Sequence, residues 1–186
     1  GIGYGDSIVD NERFGMRRFV YYNNDNSNTG DPSNFVEYYN YLKGQWKDGR
    51  KFVYGGTAES GSTGATAIEC DFMFPNDPAT GVNSDPEGWG TGGNTTLPVW
   101  SEVAPAGIGS TPNPAGDRRF VQSAGPFTLE PGALNNITVG VVYGRGASGN
   151  LSSIARLKFA DDKALNKIRR KVNSQINKYI PSESGI

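Results

Sequence analysis

The chain has no histidine and only one cysteine in 186 residues. Without imidazole there is no Ser-His-Asp or Cys-His nucleophilic site, and the ligand that most catalytic zinc sites use is missing. The lone Cys70 can form neither an internal disulfide nor a thiolate cluster, and reads as a small buried apolar residue. An excess of one charge is lacking too: 18 Lys and Arg stand against 19 Asp and Glu, a net charge of −1 with a pI near 5.5. No basic field gathers nucleic acid or an anionic membrane, so no nucleic-acid partner is expected. No apolar run is long enough to span a bilayer, and no signal peptide opens the chain. It begins at Gly1 rather than Met, which predicts a segment of a longer or processed precursor. Any acid–base chemistry would fall to carboxylates, Tyr or Lys.

What is present favours short strands. Aromatics make up 11% of the residues, with 26 Gly and 11 Pro, a balance suited to strands joined by many turns. We expect a mainly β, sandwich-like domain over 1–150, an amphipathic helix over 151–180 packed on it or on a partner, and a tail over 181–186. In "RFGMRRFVYYNN" Phe14, Met16, Arg18 and Val20 share one face and Arg17, Phe19 and Tyr21 the other, so apolar groups on both faces predict a central strand. A short helix is expected over 32–43, capped by Asp31, started by Pro32 and stopped by Gly44. Its core stripe would be Phe35, Tyr38, Tyr39 and Leu42, with Trp46 closing the apolar end.

"KFVYGG" and "IECDFMF" read as short strands. Between them "GGTAESGSTGATA" has almost nothing to bury and is expected to be exposed and mobile. The stretch after Phe74 runs through Pro, Gly, Asn and Asp without period. "DRRFVQSAGPFTLEPGALNNITVGVVYGRG" carries the clearest β signal: a strand, a turn at Pro131-Gly132, and a second strand with Ile137, Val139, Val141 and Tyr143 at period two. From Asn150 onward Ile154, Leu157, Ala164, Leu165, Ile168, Val172, Ile176 and Tyr179 fall on one helical side, interrupted by Asp161, where a bend or an Arg pairing is expected. Lys163, Lys167, Arg170, Lys171 and Lys178 crowd the opposite side as a solvated face or a surface for an acidic partner.

Three acidic loops suit Ca²⁺, which takes oxygen ligands from flexible loops. Asp6, Asp10 and Glu12 form the leading set; Asp25, Asn26, Asn28 and Asp31, and then Asp71, Asp77 and Asp85, form the others. None matches an EF-hand loop, and Asx residues also serve turns and caps. Trp46, Trp89 and Trp100, with Tyr38, Tyr39, Tyr41 and Tyr54, would make a sugar-stacking platform if exposed, or core if not. Glu69, Asp71, Glu87 and Glu102 are available to a carboxylate-based glycosidase, whose carboxylate separation sequence does not give. Gly144, Gly146 and Gly149 spell G-x-G-x-x-G between a strand and a helix, without the following strand or acidic residue of a dinucleotide site. A glycine-rich turn into a helix is the alternative. Asn94, Asn136 and Asn150 sit in N-glycosylation acceptor patterns.

Taken together, "GYGDSIVDNERFGMRRFVYYNN", "YYNYLKGQWKDGRKFVYGG", "CDFMFPNDP", "DPEGWGTGG" and above all "DRRFVQSAGPFTLEPG" resemble a module of large secreted Bacteroidetes proteins exported by type IX secretion. The resemblance covers roughly residues 2–164. It carries no assigned reaction; it implies export, a place on the cell surface or in the medium, and a multidomain chain. Beyond Lys163 the pattern departs: relatives carry a Cys-containing stretch there, whereas "NKIRRKVNSQINKYIPSESGI" is basic and has none. Asp6-Ser7-Ile8 also resembles the O-glycosylation acceptor of that phylum.

The expected function is thus a non-enzymatic extracellular structural or adhesion module, with structural Ca²⁺, partnered by neighbouring domains or other surface proteins and using the loops over 57–116. Carbohydrate binding or a glycosidase fragment, and a self-assembling surface fibre, are the alternatives.

Overall fold

The computed structural model describes residues 16–74, 76, 83, 85–102, 113–125, 131–132 and 139–179. It divides into two compact units, Gly1–Asn135 and Asn136–Ile186. Among the described residues the regular elements are a two-stranded antiparallel sheet and two helices, a small mixed α/β fold.

In the first unit, β1 (Met16–Asn23) pairs antiparallel with β2 (Arg118–Ala124), Val20 facing Val121, with a bulge between Met16 and Arg18. The other edge of β1 is also engaged. Phe19 N–H donates to the Asp71 carbonyl at 3.0 Å and Met73 N–H to the Phe19 carbonyl at 3.1 Å, so backbone lies on both sides of β1. That central place matches the apolar groups on both of its faces: Val20 and Tyr22 are buried on one and Tyr21 is half-buried on the other.

The short helix α1 (Phe35–Leu42) starts three residues later than expected, because Asn34 rather than Asp31 caps it. Asn34 Oδ1 accepts from Val36 N–H at 3.0 Å and Glu37 N–H at 3.1 Å, while Glu37 reaches back to Ser33 N–H at 2.7 Å. The helix also shows the core a different face. Phe35, Tyr38, Tyr39 and Leu42 are exposed, and the buried residues are Asn40 and Tyr41. Two specific bonds set this rotation: the Tyr41 phenol donates to the Gly30 carbonyl, and Asn40 Nδ2 to the Lys47 carbonyl at 3.1 Å. Periodicity alone counts apolar side chains and cannot weigh such bonds.

The glycine-rich stretch after Tyr54 is exposed at Ser60, Gly61, Thr63, Gly64 and Ala67, as expected, but its start, Gly55, Gly56 and Ala58, is buried. Val53 N–H donates to Ala58 O at 3.1 Å, Tyr54 N–H to Ile68 O at 2.7 Å and Thr66 N–H to Tyr54 O at 2.8 Å. Two indoles then pin it from elsewhere: Trp46 Nε1 donates to Ala58 O at 2.8 Å and Trp100 Nε1 to Gly56 O at 3.0 Å. Gly55, at φ +93°, lets the chain turn against the Gly64 carbonyl where a side chain would collide. The strands expected over 51–56 and 68–74 contribute only isolated bridges, Gln45 to Lys51, Val53 to Glu69 and Phe19 to Phe72. The core they enclose is aromatic: Tyr41, Trp46 and Phe52 meet edge to face, with the Trp46 and Phe52 centroids 4.6 Å apart, and Tyr54 packs on Trp100 at 4.8 Å.

In the second unit, α2 (Gly149–Tyr179) runs as expected and without a break at Asp161, which is exposed. Ser152 and Ser153 tie down its first turn, their hydroxyls accepting from Ser148 N–H and Gly146 N–H at 3.0 Å each. The extended segment 141–146 lies against this helix. A Cβ on Gly144 would sit 2.7 Å from the Arg156 carbonyl carbon, and one on Gly146 2.6 Å from the Ser152 carbonyl oxygen, so glycine sets the spacing. The second strand expected over 137–143 is not met: residues 139–143 join no ladder among the described residues, and 133–138 lie outside them. Gly132 has the positive φ, +82°, expected of its turn.

Candidate functional site

The residues singled out for binding go to different places. Trp46 and Trp100 are each 1% exposed, their indoles used on the backbone bonds above, whereas Trp89 is half-buried and lines a surface groove. The three therefore make no common platform. Asp6, Asp10 and Glu12 lie outside the described residues, as does Asp77.

The carboxylates of the other acidic loops are already engaged. Asp25 accepts from Ser27 N–H at 2.8 Å and from the Ser27 hydroxyl, which hold its carboxyl below the usual range. Asn28 Oδ1 accepts from Asp48 N–H at 3.1 Å, and Asp31 pairs with Arg119. Asp71 bridges Arg17 and Arg18, at 3.0 and 3.1 Å. Asp85 accepts from Trp89 N–H at 2.7 Å, Gly90 N–H at 3.0 Å and the Thr91 hydroxyl at 3.2 Å, a side chain bracing the turn after it. No group of three or more acidic or cysteine side chains converges on a metal-sized space among the described residues. Burial pushes the Cys70 thiol up, away from the thiolate.

Two concavities among the described residues have aromatic linings, and a third, of about 190 Å³, is lined by charged groups that include Arg17, Arg18, Lys51, Glu69 and Asp71. A groove of about 600 Å³ is lined by Phe19, Phe72, Phe74 and Trp89, with Asp85 and Glu87 at its border. Behind Phe74 lies a smaller cavity of about 270 Å³, where the end of β1 meets the turns carrying Thr29 and Thr57 and the approach to β2 at Asn113. Phe74 itself holds φ +50°, unusual for a side chain with a Cβ. Its ring is clamped between Tyr21, centroids 5.4 Å apart, and Trp100, at 4.8 Å. Such strain persists only where the surroundings over-determine it.

The polar side of the small cavity is a chain of neutral groups. Asn113 Nδ2 donates to the Tyr21 hydroxyl at 3.1 Å and to Asn23 Oδ1 at 3.3 Å. Burial, opposed by the Asn113 bond and helped by the Glu102 charge, lifts the Tyr21 phenol to about 12, so it keeps its proton. Glu102 is itself paired with Arg118 at 3.1 Å, and the Arg118 guanidinium lies 5.9 Å from the Tyr21 ring centroid. Comparison with protein-family models, curated proteins and solved structures finds no match to this chain.

Sequence reasoning missed this cavity. Asn23 and Thr29 are near in sequence but Thr57 and Asn113 are far from them along the chain, and the one local signal, Tyr21 and Tyr22 beside Asn23, reads equally well as the end of a strand. Of the G-x-G-x-x-G glycines, Gly144 and Gly146 are accounted for by the packing of 141–146 on α2, and Gly149 by its positive φ, +82°, at the start of the helix.

Proposed function

We propose that the chain is a non-enzymatic structural and adhesive module of a larger extracellular surface protein. The observation that carries this reading is the apolar surface left on α1, where Phe35 is 85% and Tyr39 60% exposed on a helix whose buried side is a Tyr and an Asn. Contiguous apolar side chains of this kind mark contact surfaces, which suits a module working against neighbouring domains or other surface proteins. The engaged carboxylates favour the same reading, since Asp25, Asp71 and Asp85 spend their oxygens on holding turns and strands. No helix of the described residues is long and apolar enough to cross a membrane.

A sandwich-like β arrangement belongs to the proposal, supported by the backbone pairing on both edges of β1. So does structural Ca²⁺ at Asp6, Asp10 and Glu12, which rests on composition and predicts a lower melting temperature in chelator. The adhesive reading is tested on intact source cells. Antibody against the chain should label them without permeabilisation, and deleting the segment from its parent protein should reduce cell attachment. Labelling only after lysis, or unchanged attachment, defeats the proposal.

A further inference from the structure

We infer that the cavity of about 270 Å³ beside the end of β1 is a binding site for one neutral sugar ring, the terminal unit of a glycan. It deepens the adhesive reading and rests on it for its use, by naming what the module would hold. No Lys, Arg, Asp or Glu among the described residues lines the cavity. Among the described residues an ion meets no charged side chain on the wall, and the charges nearby are paired, Arg118 with Glu102 and Arg119 with Asp31.

The wall instead offers two side-chain amides, Asn23 and Asn113, and two hydroxyls, Thr29 and Thr57. Each sugar hydroxyl both donates and accepts, and amides with hydroxyls are the neutral groups that answer both needs. The amides are oriented in advance, since Asn113 Nδ2 is held by Tyr21 and by Asn23 Oδ1. This leaves Asn113 Oδ1 and Asn23 Nδ2, which take no partner among the described residues, for a ligand. The Thr57 hydroxyl is in the same position, as only its backbone N–H is engaged, by Ser62. Tyr21, Tyr22 and Phe74 also line the cavity and give it an aromatic component suited to the C–H side of a pyranose. Size narrows the choice further: sites for drug-sized ligands run from about 300 to 1,000 Å³, so this one admits a single ring and not a chain.

The intact chain should be titrated with methyl glycosides of neutral hexoses and N-acetylhexosamines, with glucuronate as the charged comparison, by saturation-transfer NMR and calorimetry. At least one neutral glycoside is expected to bind with Kd of about 1 mM, as suits one shallowly held ring. Glucuronate should bind at least about tenfold more weakly, because its carboxylate must be desolvated without a partner. Asn113→Ala and Thr57→Val should each weaken the neutral sugar by about five- to tenfold, the loss of one hydrogen bond. If Asn113→Ala unfolds the chain, Thr57→Val decides, since the exposed Thr57 hydroxyl bonds to no described residue and the melting temperature should not move.

No saturable neutral sugar up to about 20 mM, glucuronate binding equally well, or full binding by both variants overturns the site. Cell labelling and attachment are separate readouts. Absent sugar binding with attachment intact removes the pocket alone, and sugar binding by a chain that proves to be intracellular removes the adhesive reading alone.

Discussion

Trp46 and Trp100 are equally buried and each donates its indole N–H to a carbonyl of the same glycine-rich stretch, but the two carbonyls differ in what else they hold. Ala58 O also accepts from Val53 N–H, whereas Gly56 O receives no other described donor. Trp46→Phe and Trp100→Phe remove the same atoms, so the volume lost is alike. Trp100→Phe should nevertheless be the more destabilising, by about 1–3 kcal/mol in urea unfolding, because it strands a buried carbonyl. The Tyr21 phenol makes a second residue-scale prediction. Its folded pKa of about 12 lies above the ordinary 10.0, so its contribution to stability is complete below pH 10 and is lost as pH climbs through 12. Absorbance at alkaline pH should show part of the tyrosine titrating late and together with unfolding; Tyr22, Tyr41 and Tyr54, also raised chiefly by burial, belong to the same late group.

Elements in this chain are fixed by a few side chains at their ends. Asn34 satisfies two of the free N–H groups at the start of α1, a helix of eight residues that is too short to hold itself. Asn34→Ala should cost about 1 kcal/mol, read as a lower unfolding midpoint, while Asp31→Ala would leave the cap intact. The second unit depends on spacing instead. Gly144→Val would drive a branched side chain into the backbone of α2 at Arg156 and Leu157, so the 141–146 segment must lift off. Hydrogen exchange should then rise in 141–146 while residues of β1 keep their protection.

At the scale of the whole molecule the two units differ in what holds them. The first has an aromatic core sealed by Tyr, Trp and Phe; the second is one long helix with an extended segment, and Val141 and Tyr143 on that segment are exposed. All three Trp lie in the first unit and the long helix in the second, so two optical signals separate them. Tryptophan fluorescence should report a cooperative transition, and ellipticity at 222 nm an earlier and broader one. Coincident curves would instead mean that the chain melts as one body.

Sequence by itself determined what is local. The central strand at β1, the strand of β2 and the span of α2 follow from alternation, from helical period and from the absence of breakers over 150–179. The missing histidine and single cysteine bounded the chemistry before any coordinate was known. Only the tertiary structure decided which face of α1 is buried, because the bonds from Tyr41 to Gly30 and from Asn40 to Lys47 outweigh an apolar stripe that points to solvent. It also tied the start of the glycine-rich stretch, Gly55, Gly56 and Ala58, into the buried interior through indoles that arrive from both sides of it in the chain, while Ser60, Gly61, Thr63 and Gly64 stay exposed as expected. The neutral cavity was hidden for the same reason. Its amides and hydroxyls come from four separate turns and strand ends, and distance along the chain does not encode the distance in space that makes them one surface.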